Sequence, residues 1–527
     1  MAANDVRVGV FGWGIVAPKS PTIEAFRRNL DSSESWLEPF GGFGPDNFLV
    51  GTPAFELDDY RCWIEERFPA NRFKQIKTKL GLPTQYATGA FVQALGQNPG
   101  LEAELQDLGG AAHVYVGTGL GDLPTIYDAS IRLDRAQRRW NQFWAQPVRN
   151  PALREWQALG SSAPPEDAPE HPDSVGPEAR EETEIAWRAY WAGQSSELTH
   201  YLEELRSVEG IDVKGDVDAS KKSVIRQKRS GNARLQKRWG APTPPWDDKA
   251  LANIIWNIHN TPASNVSMVG RITGLTFAPV GACATFGVCL KLAMNAIRLG
   301  EAKAVVVGAA DPPPHPLVVG GFYNARVIAA DGEVSRPLTG LRGTHVSGGS
   351  AIWIVGDYEY MTARGFEPLG LEPIEVGVSA DADHIITPSE DGPLAAVRAA
   401  MAASGTLPAN LSTWDLHATA TPGDHQEVHN LQQVIPQDVL VTARKGTFGH
   451  GMGAAGGWEL TAQYLGIQEG QLLPTPLSRE DLNEEISKLH PAFVFDEAVP
   501  APLGVAGKLS MGVGGVNSCV LSRPWER

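Results

Sequence analysis

Residues 275–286 read LTFAPVGACATF, and this stretch decides the fold class of the chain. An apolar run from Leu275 to Val280 passes through a turn of small residues, Gly281-Ala-Cys-Ala284, into a helical pattern that continues to Leu299. The chain opens in a similar way, with an apolar run from Val6 to Val16 followed by a short helical pattern. Strands that alternate with helices in this manner predict an α/β fold.

The same alternation continues through the rest of the chain. Apolar runs at His113 to Val116 and Ala302 to Gly308 predict further buried strands. After Ser350 the pattern restarts with Ala351 to Val355 and Leu371 to Val378. We therefore expect two α/β halves and, in the absence of a short-period repeat, no solenoid.

Composition and charge narrow the class of protein. The chain has 527 residues, 42% of them apolar, and its formal net charge of −16 argues against nucleic acid as a partner because such a field repels phosphate. The cysteines Cys62, Cys283, Cys289 and Cys519 form no CxxC pair, so neither a disulfide framework nor a zinc site is predicted. We expect a cytoplasmic protein, since there is no signal-peptide pattern and no apolar run of roughly 18 residues.

An insertion is predicted between about residues 132 and 246. Seven of the fifteen tryptophans fall there, and because disordered segments are poor in aromatic residues we expect this region to be folded and largely helical. It contains a basic run from Lys221 to Arg238. We interpret that run as a solvated face that neutralises the acidic stretch Glu166 to Glu184; the alternative is a docking surface for an acidic carrier protein.

Cys283 is the first candidate for chemistry. It lies where a predicted strand gives way to a helix, and a thiol at a helix amino terminus is expected to have a lowered pKa and so to act as a nucleophile. The alternative is a small buried cysteine without a chemical role.

Three further motifs follow in order along the chain. His417 ends a short strand within residues 415–424, DLHATATPGD, and Lys445 and His450 bracket a turn within residues 443–457, ARKGTFGHGMGAAGG. Residues 511–517, MGVGGVN, form a flexible turn before a last strand. A lone histidine at a strand end is commonly structural, but four motifs in a fixed order form a specific constellation.

Together these motifs resemble the β-ketoacyl synthase family of condensing enzymes in the thiolase superfamily, whose patterns read ACA(T/S)G, NAHGTSTPxxD, STKSxxGH with LGAAG, and FGFGGTN. The resemblance runs from Val280 to Leu521 and includes the opening strand, which places the chain in a divergent branch with a large insertion. It implies a five-layered αβαβα thiolase fold of two related halves, residues 1–300 with the insertion and residues 301–527.

The resemblance also implies the reaction. Cys283 would accept an acyl group from a carrier-protein or coenzyme A thioester. His417 and His450 would bind the carbonyl of a malonyl-type thioester and stabilise the enolate formed as carbon dioxide leaves, with Lys445 polarising the site. This is a decarboxylative Claisen condensation in fatty-acid or polyketide biosynthesis, catalysed by a homodimeric acyltransferase that needs no metal or redox cofactor.

Other residues take their expected roles from the same family. The backbone N–H groups of Cys283 and Val513 would form the oxyanion hole, and Thr419 and Thr421 would line the pantetheine channel. Val513 replaces a gating phenylalanine and Phe286 replaces a glycine, so both are expected to shape the substrate pocket.

Departures from the pattern keep other functions open. Gly349 replaces a glutamate, which removes a lysine partner at that position, while Asp415 and Ala418 replace asparagine and glycine. One alternative is a noncatalytic partner subunit similar to a chain-length factor. The other is a non-decarboxylating thiolase-like acyltransferase, for which Cys519 is the nearest candidate for a second catalytic cysteine.

Two weaker patterns favour simple structural roles. Gly12-Trp-Gly14 and the glycines at 117–121 each follow a β run but do not complete GxGxxG with a suitable helix, so we interpret them as backbone turns rather than a nicotinamide site. His425 and His429 lie one helical turn apart, but the intervening glutamate is misplaced for HExxH, and a surface helix face is the simpler interpretation.

Overall fold

The computed structural model of the protein describes residues 6–44, 47–160, 164–213 and 215–525. The strands are β1 (Val8–Val16), β2 (Glu38–Pro39), β3 (Leu49–Val50), β4 (Ala112–Gly117), β5 (Thr276–Phe277), β6 (Ala304–Asp311), β7 (Gly349–Asp357), β8 (Glu372–Ala380), β9 (Leu411–Asp415), β10 (Leu440–Thr442), β11 (Gln471–Leu472), β12 (Val499–Pro500), β13 (Val505–Gly512) and β14 (Val516–Arg523).

The α-helices are α1 (Ile23–Asn29), α2 (Arg61–Arg67), α3 (Asn71–Lys79), α4 (Leu82–Leu95), α5 (Leu101–Asp107), α6 (Leu123–Trp144), α7 (Pro151–Ala158), α8 (Pro177–Gly193), α9 (Ser196–Glu209), α10 (Val217–Trp239), α11 (Leu251–Trp256), α12 (Thr261–Gly270), α13 (Thr285–Arg298), α14 (Pro316–Asn324), α15 (Tyr358–Ala363), α16 (Asp391–Ser404), α17 (Gly423–Leu431), α18 (Lys445–Phe448), α19 (Ala455–Gln468) and α20 (Glu484–Leu489). Across the described ranges, no helix is long and apolar enough to cross a membrane.

Two five-stranded sheets have the same topology. Their strand orders are β5-β4-β6-β7-β1 and β10-β9-β13-β14-β8. When the strands of each sheet are numbered along the chain, both orders become 3-2-4-5-1. In both sheets the first two pairings are parallel and the last two are antiparallel. The two halves are therefore structurally related, as the sequence predicts.

Five layers result from how each sheet is covered. Helices α13 and α19 share one apolar core with residues of both sheets, so they form the central layer. Helices α4 and α12 pack on the outer face of the first sheet, and α16 and α17 pack on the outer face of the second. Along β7, Trp353 and Val355 face the central core while Ile352 and Ile354 face the outer one. Burial on both faces explains the continuous apolar runs, and the αβαβα expectation is confirmed.

The sheets divide the chain later than residue 300. Strands β6 and β7 follow that residue, yet they pair with β4 and β1 in the first sheet. The second sheet begins with β8, so the change from one sheet to the other falls between Asp357 and Glu372. The reason is the strand order. The fourth and fifth strands along the chain lie inside each sheet, so the first sheet is complete only after β7.

The insertion is a compact unit of its own, from Thr125 to Ile255. Its core contains Trp140, Trp144, Tyr201 and Leu235, with the ring centroids of Trp140 and Trp144 5.4 Å apart. Ser195 caps α9 by accepting a hydrogen bond from the Leu198 N–H at 3.2 Å. The expectation of a folded helical region rich in packed tryptophans is confirmed, with bounds slightly wider than 132–246.

Helix α10 carries the basic run. Lys222, Arg226, Arg229 and Lys237 are exposed and share one face at helical spacing, and we call them the basic stripe. The opposite face is buried through Leu235, which packs with Tyr201 of α9.

We expected the basic run of α10 to neutralise the acidic stretch Glu166 to Glu184, and this prediction is wrong. Within the described residues, the stretch pairs with arginines outside the basic run: Glu181 with Arg138, Glu184 with Arg188, and Asp173 with Arg180. Helix α10 instead pairs with α9, through Lys228 with Glu209 and Arg238 with Glu204. The basic side chains of α10 form ion pairs with α9, the helix next to it in the chain.

The glycines of β1 have a packing role. A Cβ on Gly12 would lie 2.3 Å from the carbonyl oxygen of Ala94, and one on Gly14 would lie 1.8 Å from that of Ala90. Both carbonyls belong to α4, so the motif allows a helix to lie close against the strand. This agrees with a structural rather than a nucleotide-binding role.

Candidate active site

Cys283 lies in a tight turn at the start of the central helix α13. A 3₁₀ turn, Ala282–Ala284, leads directly into the helix, and Ala282 adopts a φ of 47°. Positive φ is costly for a residue with a Cβ, so this turn is held by its surroundings, as is common at functional sites. The side chain of Cys283 is buried, with 6% of its surface exposed.

The expected lowering of the Cys283 pKa is wrong. Burial raises the pKa of the Cys283 thiol to about 11, which outweighs the opposing effects of the Lys445 ammonium and of the backbone N–H groups of Val513 and Cys283 itself. Removing water penalises the thiolate more than the end of the helix favours it. In the free protein Cys283 is therefore a protonated thiol at neutral pH.

Two histidines face one another beside this cysteine. The ring centroids of His417 and His450 are 5.4 Å apart and the rings are nearly perpendicular, at 81°. Burial, followed by the positive charge of Lys445, holds the pKa of both imidazoles well below the usual value. Both rings are therefore neutral at pH 7 and can each donate one N–H hydrogen bond.

The backbone around both histidines is fixed by hydrogen bonds. Glu427 accepts the N–H groups of His417 at 2.7 Å and Ala418 at 2.8 Å, while Lys445 donates from Nζ to the carbonyl oxygen of His417. The N–H of His450 donates to the carbonyl of His345 at 2.6 Å. Among the described residues, Nδ1 of His450 has no hydrogen-bond partner although it is buried.

Behind the histidines lies a group of five buried charged residues, Asp415, Arg444, Lys445, Glu459 and Lys508, which we call the buried charge cluster. None of them exposes more than 2% of its surface. Glu459 accepts a hydrogen bond from Lys445 at 2.7 Å through one oxygen, and its other oxygen forms an ion pair with Lys508 at 2.8 Å. Asp415 lies 3.2 Å from Lys508 and 3.7 Å from Arg444. Each charged group therefore has an opposite charge within 4 Å, as burial requires.

One cavity of about 300 Å³ brings six of the eight predicted site residues together, and Lys445 and Phe286 are not on its wall. Its walls include Cys283, His417, His450, Thr419, Thr421 and Val513. The hydroxyl oxygens of Thr419 and Thr421 are 3.0 Å apart. Wall residues that sequence analysis did not identify include Phe322, Arg326, Thr344, Ile386, Pro388 and Met511.

Three positions that depart from the family pattern have clear environments. Phe286 is fully buried in the central core, where its ring packs edge-on against Trp353 at 5.2 Å, and it is not among the cavity walls. Val513 is on the wall and nearly half exposed. Gly349 has a φ of 146°, and a Cβ there would lie 2.1 Å from the carbonyl oxygen of Val16, so a glutamate does not fit.

Sequence analysis missed Glu459 and Lys508. Glu459 supplies the carboxylate for Lys445 that Gly349 lacks, and it lies on α19 fourteen positions after the lysine. A signal was present for each residue, because Glu459 interrupts a helix of small and apolar residues and Lys508 interrupts an apolar strand. A charge inside such a run requires a partner.

Comparisons with known proteins agree with this geometry. A model described as "Beta-ketoacyl synthase, N-terminal domain" matches residues 229–355, and one described as "Beta-ketoacyl synthase, C-terminal domain" matches residues 374–477. These segments contain the cysteine motif and both histidine motifs. Residues 229–355 and 374–477 are thus similar to the two domains of the β-ketoacyl synthase family.

Curated relatives match the same part of the chain. A "3-oxoacyl-[acyl-carrier-protein] synthase homolog" of Saccharomyces cerevisiae is 30% identical over 285 residues, covering 51% of this chain and 63% of the relative. "3-oxoacyl-[acyl-carrier-protein] synthase 2" of Vibrio cholerae and "Nodulation protein E" of Rhizobium sp. are each 32% identical, covering 41% of this chain and 55% of each relative. The chain thus spans between 55% and 63% of the length of these curated relatives.

Solved structures match nearly the whole chain. A β-ketoacyl synthase from Burkholderia phymatum superposes with a TM-score of 0.67 at 16% identity, covering 99% of this chain and all of that one. A structure described as "The ishigamide ketosynthase/chain length factor" also has a TM-score of 0.67, at 19% identity and with the same coverage. At these identities the likeness establishes the fold.

Proposed function

We propose that this protein is a condensing enzyme of the 3-oxoacyl-[acyl-carrier-protein] synthase type, acting in fatty-acid or polyketide biosynthesis. The observation that carries the proposal is the convergence of Cys283, His417 and His450 on one cavity. A nucleophile and two neutral hydrogen-bond donors are the groups that acyl transfer and enolate stabilisation require.

In the first half-reaction Cys283 is acylated. Its sulfur bonds the carbonyl carbon of an acyl thioester, and the carrier thiol leaves with the proton that the cysteine gives up. The backbone N–H groups of Val513 and Cys283 already act on the cysteine sulfur. In the proposed reaction they would donate hydrogen bonds to the oxygen that becomes negative in the tetrahedral intermediate.

In the second half-reaction a malonyl-type thioester loses carbon dioxide. The electron pair of the broken C–C bond forms an enolate, whose oxygen accepts hydrogen bonds from His417 and His450. The enolate carbon then attacks the acyl carbonyl, forms the new C–C bond and expels the Cys283 thiolate, which takes up a proton from the solvent. Lys445 contributes positive charge and holds the carbonyl of His417.

The proposed carrier is an acyl carrier protein, a coenzyme A thioester, or each in turn. Thr419 and Thr421 line the cavity where a pantetheine arm would lie, and the exposed Arg326 lies at the same wall, where a guanidinium suits its phosphate. Carrier proteins of the acidic kind would be attracted by the basic stripe. We further propose a homodimer in the cytoplasm, in keeping with four free cysteines.

A noncatalytic partner subunit is the second candidate, favoured by structural neighbours described as ketosynthases with chain-length factors. The retained Cys283, His417, His450 and Lys445 favour the enzyme. The thiolase-like alternative lacks support at the site, because Cys519 is fully buried on β14, packs in the outer core, and has a pKa raised by burial.

The test is intact-protein mass spectrometry after incubation with acyl-coenzyme A and acyl-carrier thioesters. We expect one acyl adduct on the unaltered protein and on Cys289→Ala, a matched control that removes another buried cysteine of α13. We expect no adduct on Cys283→Ala. If no thioester in a panel of different chain lengths labels Cys283, the partner-subunit function replaces the proposed one.

A further inference from the structure

Lys508 is a second buried lysine of the site region. It lies on β13 with 1% of its surface exposed, and its Nζ donates to the carbonyls of Leu416 at 2.9 Å and Leu509 at 2.8 Å. Its ammonium also lies 2.8 Å from Glu459 and 3.2 Å from Asp415. The ammonium thus makes two hydrogen bonds to carbonyls, and two carboxylates compensate its charge.

Lys508 and Lys445 hold the same short segment. Lys445 donates to the carbonyl of His417, and Lys508 donates to the carbonyl of the preceding residue, Leu416. Each lysine also binds one oxygen of Glu459. Two ammonium groups joined by one carboxylate thus fix two consecutive peptide units, the second of which carries an imidazole of the active site.

Asp415 and Lys508 are also direct neighbours in the sheet. They are register partners in the parallel pair β9 and β13. The asparagine of the family pattern is an aspartate here, so its negative charge lies directly opposite the ammonium of Lys508. The buried charge cluster contains three cations and two anions, and it would keep the same excess of one positive charge if both Asp415 and Lys508 were neutral.

We propose that Lys508 is a positioning residue for the condensation, holding Glu459 and the Leu416–His417 backbone so that the His417 ring faces the cavity. This rests on the proposed function. Asp415 is a counter-ion that allows the Lys508 ammonium to be buried at this position. Through its charge, Lys508 also disfavours protonation of both histidines.

The pKa directions agree with this arrangement. Burial lowers the pKa of Lys508, but Glu459 and Asp415 outweigh it and leave that pKa raised, so the ammonium stays charged. Lys508 contributes to the lowered pKa of His417 and of His450, after burial and Lys445. The titratable groups that interact with Lys508 are Glu459 of α19, Asp415 of β9, Glu427 of α17, Cys519 of β14, His417 and His450.

The experiment compares Lys508→Met, Lys508→Arg, Asp415→Asn and the double variant Asp415→Asn with Lys508→Met. The double variant removes both charges and leaves the net charge of the cluster unchanged. It therefore distinguishes a role of Lys508 at the histidines from its role as the counter-ion of Asp415. For each protein we would measure the urea midpoint, kcat and KM for condensation, and histidine titration by ¹³C NMR, with His417→Gln and His450→Gln for assignment.

Lys508→Met alone is expected to unfold at lower urea, because Asp415 loses its nearest cation. The double variant is expected to recover the urea midpoint but to keep a kcat about 10- to 100-fold below that of the unaltered protein, with KM little changed. The pKa values of its two site histidines should rise, since a buried cation that lowers them is gone. In Lys508→Arg, which keeps the positive charge, the histidines should titrate as they do in the unaltered protein.

A double variant with unaltered kcat and unaltered histidine titration would overturn the proposal, because Lys508 would then serve only as the counter-ion of Asp415. The histidine titration does not depend on turnover. If the unaltered protein failed to condense thioesters, the proposed function would fall, while the titration would still decide whether Lys508 acts on His417 and His450.

Discussion

The buried charge cluster and the basic stripe of helix α10 are built from similar side chains in opposite environments. In the cluster, every ammonium, guanidinium and carboxylate is within 4 Å of an opposite charge and almost no surface is exposed. In the stripe, Lys222, Arg226, Arg229 and Lys237 are all exposed. The first region has no water to replace a lost partner, whereas the second is surrounded by water and salt.

This difference predicts which region controls chemistry. A buried charge acts on the pKa of its neighbours because little solvent screens it, and the lowered pKa values of His417 and His450 reflect this. Exposed charges contribute little to stability but attract an oppositely charged partner before contact. We therefore expect large local effects from substitutions in the cluster and small, salt-dependent effects from substitutions in the stripe.

The largest effect is expected from Glu459→Gln. This change keeps the shape of the side chain but removes the carboxylate that binds both Lys445 and Lys508, and breaking a buried ion pair from one side typically costs about 3–5 kcal/mol of unfolding free energy. Urea unfolding would measure it. The matched control is Glu181→Gln, which breaks an exposed pair with Arg138 and should leave the urea midpoint unchanged. Equal shifts in the two variants would contradict the comparison.

An intermediate effect is expected on the reactivity of Cys283. With a pKa raised by burial to about 11, on the order of one molecule in ten thousand carries the thiolate at pH 7, so alkylation by iodoacetamide should be slow and should rise with pH up to about 11. Lys445→Met should slow it further, because the lost ammonium favours the thiolate.

The measurement is the alkylation rate between pH 7 and pH 10 in a Cys62→Ala background, since Cys62 is exposed. Arg226→Met, in the basic stripe, serves as the control and should leave the profile unchanged. A rate that levels off below pH 8.5 would show instead that the helix amino terminus dominates over burial.

The smallest effect is expected from reversing the charge of the basic stripe. Replacing Lys222, Arg226 and Arg229 with glutamate should raise KM for an acidic acyl-carrier substrate about 3- to 10-fold at low ionic strength and leave kcat unchanged. The increase should disappear in about 0.5 M salt, where screening is strong. Steady-state kinetics with the carrier and with the matching coenzyme A thioester would measure it. An unchanged KM for the carrier would leave the stripe as a solvated face only.

The sequence by itself determined the fold class and part of the cavity wall, including Cys283, His417 and His450. Cys283, His417, Lys445 and His450 each lie in a short motif whose small neighbours constrain the local backbone, and such local patterns can be read along the chain. The buried strands were also predictable, because a strand covered on both faces must be apolar along its length. The division into two α/β halves followed from the repeated alternation of strand and helix, and their relatedness was implied by the resemblance to the family.

The tertiary structure alone decided the electrostatics of the site. The direction of the Cys283 pKa depends on how much water is excluded, which no motif records. The partners of Lys445 and Lys508 come from other elements of the fold, and Lys508 meets Asp415 across 93 positions only because β13 pairs with β9 in that register. The boundary between the sheets likewise required the strand order, since late strands return to the middle of each sheet. Motifs report local backbone requirements, whereas burial and charge pairing are set by contacts between residues distant in the chain.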